Sequence, residues 1–137
     1  MVSAAEQKMA RISDADAAQP AIAGGWSRKQ ILGHLIDSAS NNHQRFVRAM
    51  LGDELRWPGY DQAGNVRVER FQEARWGDLV QLWASYNRFI AHLLVGVPEG
   101  KRETPCFVGE NPKMTLEELA QDYLRHMGHH LEQLRGV

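Results

Sequence analysis

The chain has one cysteine, Cys106, which excludes an internal disulfide and suits a reducing cytoplasm. Neither sign of charge is in excess: 16 Lys and Arg stand against 17 Asp and Glu. The usual electrostatic reason for binding nucleic acid or an anionic membrane is therefore missing. No run approaches the roughly 18 apolar residues of a membrane span, and the opening MVSAAEQKMARISDAD is too polar for a signal peptide. Strand-like alternation of any length, internal repeats and low-complexity tracts are also absent. At 137 residues the chain suits one domain, 1–137, with a real hydrophobic core and no room for two comfortable ones.

What the sequence does carry is helical periodicity. Val2 to Ala18 places Ala, Met and Ile among charges at helical spacing and stops at Pro20. Ser27, with Gln30 three residues on, forms a capping box that opens a helix whose apolar residues Ile31, Leu35 and Phe46 repeat up to Gly52. Asp53 to Val68, punctuated by Pro58, Gly59 and Gly64, reads as a loop whose Trp57, Tyr60, Asp61, Gln62 and Asn65 either fold over a cavity mouth or plug a bundle end. Glu69 to Val97 reads as a third long helix with a wide core face of Leu79, Leu82, Trp83, Tyr86, Phe89, Ile90, Leu93 and Leu94. Lys101 to Met114 is a connector with a short extended piece at Cys106 to Val108. The last helix starts at Thr115, capped reciprocally with Glu118, and turns Leu116, Leu119, Ala120, Tyr123, Leu124 and Met127 inward. These elements predict an all-α four-helix bundle with long connecting loops, a fold that builds sites from inward-facing side chains of different helices.

Three of the six histidines crowd into His126 to His130 of that last helix. Residues four apart share a helix face about 6 Å apart, so His126 and His130 project together and His129 turns away to a supporting or surface position. Two imidazoles can share a metal ion, but a catalytic zinc-like site takes three protein ligands. The third candidate is His34, inside the helical ILGHLID segment with carboxylate and amide neighbours. His34, Asp37, Ser38, Asn41, Arg45 and Arg48 form a polar stripe along that helix. The stripe is either a solvated face or, with His34 flanked by Leu32, Leu35 and Ile36, a partly buried one needing partners. Gly128, costly in a helix interior, makes room for a neighbouring helix or an open metal position. His92 has no patterned partner, and Cys106, without a local sign of a lowered pKa, reads as a buried or free thiol and not a nucleophile.

WSRKQILGHLIDSASNNHQRFVRA, the GYDQ of the following loop, and TLEELAQDYLRHMGHHLEQL together resemble the DinB-like family of four-helix bundle proteins. The pairing of a helix-borne GHLxDS with a C-terminal HxxxHLxQL is the specific part. The resemblance implies an up-down-down-up bundle holding a divalent metal, zinc or nickel, on His34, His126 and His130. It implies a homodimer, and a metal-dependent enzyme that activates water or a small thiol such as mycothiol or bacillithiol: a thiol-dependent S-transferase or a hydrolase. Asp37 would orient a ligand or water, and Tyr60 and Asp61 would sit beside the chemistry. Asn41, Asn42, Arg45 and Gln62 would contact a small-molecule substrate. The alternative is a non-catalytic, metal-stabilised dimeric bundle that binds a small molecule or protein partner.

Overall fold

A computed structural model describes residues 1–135. The helices are α1 (Val2–Met9), continued after a break by the single turn α2 (Asp14–Ala17), then α3 (Arg28–Leu51), a shorter α4 (Gln62–Glu69), α5 (Trp76–Val95) and α6 (Leu116–Arg135). Short strands β1 (Leu55–Trp57), β2 (Pro105–Val108) and β3 (Met114–Thr115) lie in the connections. The bundle is made by α1, α3, α5 and α6. No helix among the described residues is long and apolar enough to cross a membrane.

Two apolar clusters give the helix directions. Ile31, Leu32 and Leu35 early in α3 pack with Trp76, Leu79 and Trp83 early in α5 and with Met127, Leu131 and Leu134 late in α6. Phe46 and Ala49 late in α3 join Ile90 late in α5 and Leu116, Leu119 and Tyr123 early in α6. Hence α3 and α5 run parallel and α6 runs against both, the down-down-up part of the expected order. Parallel neighbours cannot be joined by a tight turn, which is why a long crossover leads from Gly52 to Arg75. That crossover contributes β1, and the α5–α6 connection contributes β2 and β3. They pair in the order β1-β2-β3, β1 parallel to β2 with Leu55 opposite Cys106, and β2 antiparallel to β3.

The small sheet and α4 correct the reading of Asp53 to Val68 as a plain loop. Three-residue strands are too short to show alternation, and α4 is nucleated by Asp61, whose carboxylate accepts from the Gly64 amide at 3.0 Å. The expected extended piece at Cys106 to Val108 is β2. The N-terminal helix is split in two because Ser13 starts a new turn by capping Asp16. The third long helix begins at Trp76 and not at Glu69, after a 3-10 turn at Phe71–Glu73. Its core face is narrower than its pattern: Leu82 and Phe89 are about half exposed, as is Leu124 of α6.

Both predicted capping boxes form. Ser27 accepts from the Gln30 amide while Gln30 accepts from the Ser27 amide, and Thr115 and Glu118 make the same exchange. They fix the starts of the two helices that carry the histidines. Close packing fixes α3 further at Gly33, where an added Cβ would stand 2.1 Å from the Phe71 ring. Gly33→Ala must push Phe71 out of its seat. It is expected to lower stability by about 1–3 kcal/mol, read as a fall in the urea midpoint at unchanged slope. Gly128 is different: nothing lies within 4 Å of where its Cβ would be, so no neighbouring helix requires that glycine.

Candidate metal centre and adjoining cavity

His34 sits two turns into α3, fully buried at 1 % exposure, and meets His126 and His130 of the antiparallel α6. Their ring centroids are 4.6–5.1 Å apart, and the His34 and His126 Nε2 atoms are 3.2 Å apart. One donor nitrogen from each of the three falls within 4.8 Å of the others. Nitrogens sharing a zinc-like ion at roughly 2.0–2.1 Å stand about 3.3 Å apart, so the observed cluster is of the right size for one ion. His130 is oriented from behind by Gln133, whose Oε1 is 2.8 Å from His130 Nδ1. His129 is exposed and points off this face.

The electrostatics suit the same role. Burial, and then the neighbouring imidazoles of His130 and His126, press His34 down to about 4. His126 is lowered too, again chiefly by burial, with His130 next. Neutral imidazole is the metal-binding form, and the fold already imposes it on His34 near neutral pH. His34 Nδ1 is buried without a partner, so the usual carboxylate or carbonyl support of a ligating histidine is not in place there.

Asp37 does not supply that support: no hydrogen bond joins it to His34. One turn further along α3, it is 5 % exposed and faces Glu69 at the end of α4. Burial, then the hydrogen bond and charge of Glu69, raise its carboxyl to about 8. Two carboxyl groups in contact favour sharing a proton. In sequence Glu69 reads as the first residue of the next helix, and no local pattern links it to Asp37.

A cavity of about 460 Å³ opens beside the histidines, with His126 in its wall. α3 contributes Ser38, Asn42 and Arg45, while Tyr60 and Gln62 come from the crossover loop. Burial first, and the Asp37 carboxyl next, raise the Tyr60 phenol to about 12, so Tyr60 is a neutral hydrogen-bond donor and not a ready base. Asp61 points elsewhere, capping α4, and Asn41 is occupied by the Asp37 carbonyl at 2.9 Å; neither lines the cavity. Trp57 lies beneath the Arg48 guanidinium, 4.5 Å from its ring centre. The polar stripe of α3 is thus largely buried: His34, Asp37, Ser38 and Arg45 face inward and Arg48 stays outside.

Cys106 lines the same cavity, but burial raises its thiol to about 11 and its Sγ donates to the Thr104 carbonyl. That is an inert thiol, as expected. Tyr123 also lines the cavity, its hydroxyl donating to Asn87 Oδ1 at 2.5 Å. Its place in the apolar pattern of α6 concealed that polar role, and Asn87 gave no signal in a helix read for its core face. His43 pairs with the Tyr86 hydroxyl at 2.8 Å and stays away from the other histidines.

Residues 3–134 match the sequence model of the DinB superfamily. Comparison with curated proteins gives no significant match. Among solved structures, the chain is similar to YfiT from Bacillus subtilis, described as a probable metal-dependent hydrolase with an unusual four-helix bundle topology. The TM-score is 0.84 at 21% identity, over 96% of this chain and 77% of that one. It is also similar to the mycothiol-dependent maleylpyruvate isomerase, with TM-score 0.80 and 14% identity, over 97% of this chain and 55% of the isomerase. This chain therefore spans about half the length of the isomerase, and at such identities both likenesses speak for the fold. With the family match running nearly end to end, the chain belongs to the DinB superfamily.

Proposed function

We propose that this protein is a divalent-metal-dependent enzyme that activates water or a small thiol, working as a hydrolase or a thiol-dependent S-transferase. The observation that carries the reading is the convergence of His34, His126 and His130 on one point, with His126 also lining the adjoining cavity. The three histidines would hold a zinc or nickel ion, which would lower the pKa of water or a thiol toward neutrality. YfiT, described as a probable metal-dependent hydrolase, and the isomerase, described as mycothiol-dependent, support the two chemical variants by analogy of fold.

The chain's own residues have separable tasks. His34 is held neutral by burial and is available as a ligand. Tyr60, protonated and at the cavity wall, donates a hydrogen bond to the reacting group or the substrate. Asn42, Arg45 and Gln62 bind substrate. Asp61 acts indirectly, since capping α4 holds the loop on which Tyr60 stands. The protein works in the cytoplasm as a homodimer, as the family resemblance suggests.

Turnover of ester, amide and thiol-transfer substrates by zinc- or nickel-loaded protein tests the proposal. Chelation is expected to abolish activity and re-addition to restore it. Far-UV circular dichroism should stay unchanged throughout, because both apolar clusters are complete without an ion. A bundle that melts on chelation and turns nothing over when loaded would instead be a metal-stabilised binding protein.

A further inference from the structure

Three basic side chains are buried at 8 % exposure or less among the described residues: Arg28, Lys29 and Arg45. Lys29 pairs with Asp14 at 3.0 Å. Arg28 donates to the backbone carbonyls of Asp16 and Leu134 at 3.3 and 3.5 Å. Arg45 has neither kind of partner. Its Nε is buried without an acceptor, and its Nη1 meets only Asn42 Oδ1, at a long 3.4 Å.

A guanidinium keeps its charge in a protein, and a buried charge without a counter-ion is costly. Nothing nearby neutralises this one. Tyr60, the ionisable neighbour, remains a neutral phenol. Asp37 and Glu69 face each other, and neither forms an ion pair with Arg45. Asp122, the one carboxylate in the cavity wall, is engaged by Arg125. Arg45 is also the only Lys or Arg in that wall, while Val108, Met114 and Leu119 make part of it apolar.

We infer that the cavity takes a small acid with one carboxylate on an apolar body, the carboxylate held by the Arg45 guanidinium and the body resting against Val108, Met114 and Leu119. The inference rests on the cavity being the substrate site proposed above, and it names that substrate's class. A guanidinium fork matches a carboxylate in shape and hydrogen bonding. A single fixed cation balances a monoanion better than a phosphate monoester, which carries close to two charges at neutral pH.

The test is an NMR titration of metal-free protein with hexanoate, its uncharged analogue hexanamide, and hexyl phosphate, following the Tyr60 and Gln62 amide signals. Omitting metal keeps the carboxylate from binding an ion instead. Hexanoate is expected to bind at least about 10-fold more tightly than hexanamide. The preference should vanish in Arg45→Gln and return in part in Arg45→Lys, which keeps the charge but not the fork. Equal affinity for acid and amide, binding of neither, or a preference that survives Arg45→Gln would overturn the inference. So would tighter, Arg45-dependent binding of hexyl phosphate, which would make this a phosphate site. If Arg45→Gln does not fold, the wild-type acid-to-amide ratio and Arg45→Lys decide. Repeating the titration with zinc-loaded protein separates the two proposals. Hexanoate binding that needs zinc and ignores Arg45 overturns the carboxylate subsite and leaves the metal centre standing. Failure to take up zinc removes the metal reading, while the metal-free titration still reports on Arg45.

Discussion

Trp83→Ala is expected to lower the unfolding free energy by about 3–5 kcal/mol. Trp83 is fully buried in α5, in the cluster where the first halves of α3 and α5 meet the last half of α6. That junction holds α3 against α6 on either side of the histidines. Truncation removes the indole and leaves a cavity that close-packed helices fill only partly. One feature moderates the loss: the indole Nε1 is buried without an acceptor, so the substitution also removes an unsatisfied donor. For the same reason Trp83→Phe, which keeps most of the volume and discards that N–H, is expected to cost much less. A domain of this kind has only about 5–15 kcal/mol in total, so Trp83→Ala should move the urea midpoint far. A loss below about 1 kcal/mol would mean that the indole is not packed as described.

His34→Ala is expected to weaken zinc or nickel binding by more than about 100-fold. Removing a mere outer partner of a ligating histidine costs 10–100-fold, and His34 is placed as a ligand itself. The fold should survive, since no partner is stranded at the His34 Nδ1 and His126, which loses its Nε2 contact, borders the cavity. Acidification supplies a second readout. The pKa of about 4 at His34 means that protons compete for this ligand only as the pH falls toward that value, well below the ~6.5 of a free imidazole. The wild-type site should therefore keep its His34 ligand unprotonated at pH 6, where an exposed imidazole would be mostly protonated. Competition titrations against a chromophoric chelator measure both effects. Unchanged affinity in His34→Ala would remove it from the ligand set.

The helices that carry the site were legible because their starts are chemically marked. Ser27 with Gln30 and Thr115 with Glu118 are reciprocal caps visible in sequence, and both form. The i, i+4 spacing of His126 and His130 likewise fixes their common face whatever the rest of the fold does. What sequence did not disclose depends on contacts between distant segments. β1 and β2 stabilise each other across some 50 residues, and neither is long enough to announce itself alone. The Asp37–Glu69 contact and the Tyr123–Asn87 hydrogen bond need the bundle assembled before they exist. Nothing in the sequence sets Gly33 above Gly128, since only the assembled fold puts the Phe71 ring against the first and open space against the second. Leu82, Phe89 and Leu124 follow the helical period yet stay half exposed, because periodicity marks a face without saying how much of it a neighbour covers.

Elemental analysis decides whether His34, His126 and His130 form one metal centre. Untagged protein, prepared without chelator and supplied with zinc or nickel, is compared with the His126→Ala, His130→Ala double variant. Close to one ion per chain is expected in the wild type and its loss in the variant, with circular dichroism unchanged. An ion absent from both would contradict the metal centre, as would one retained equally by both.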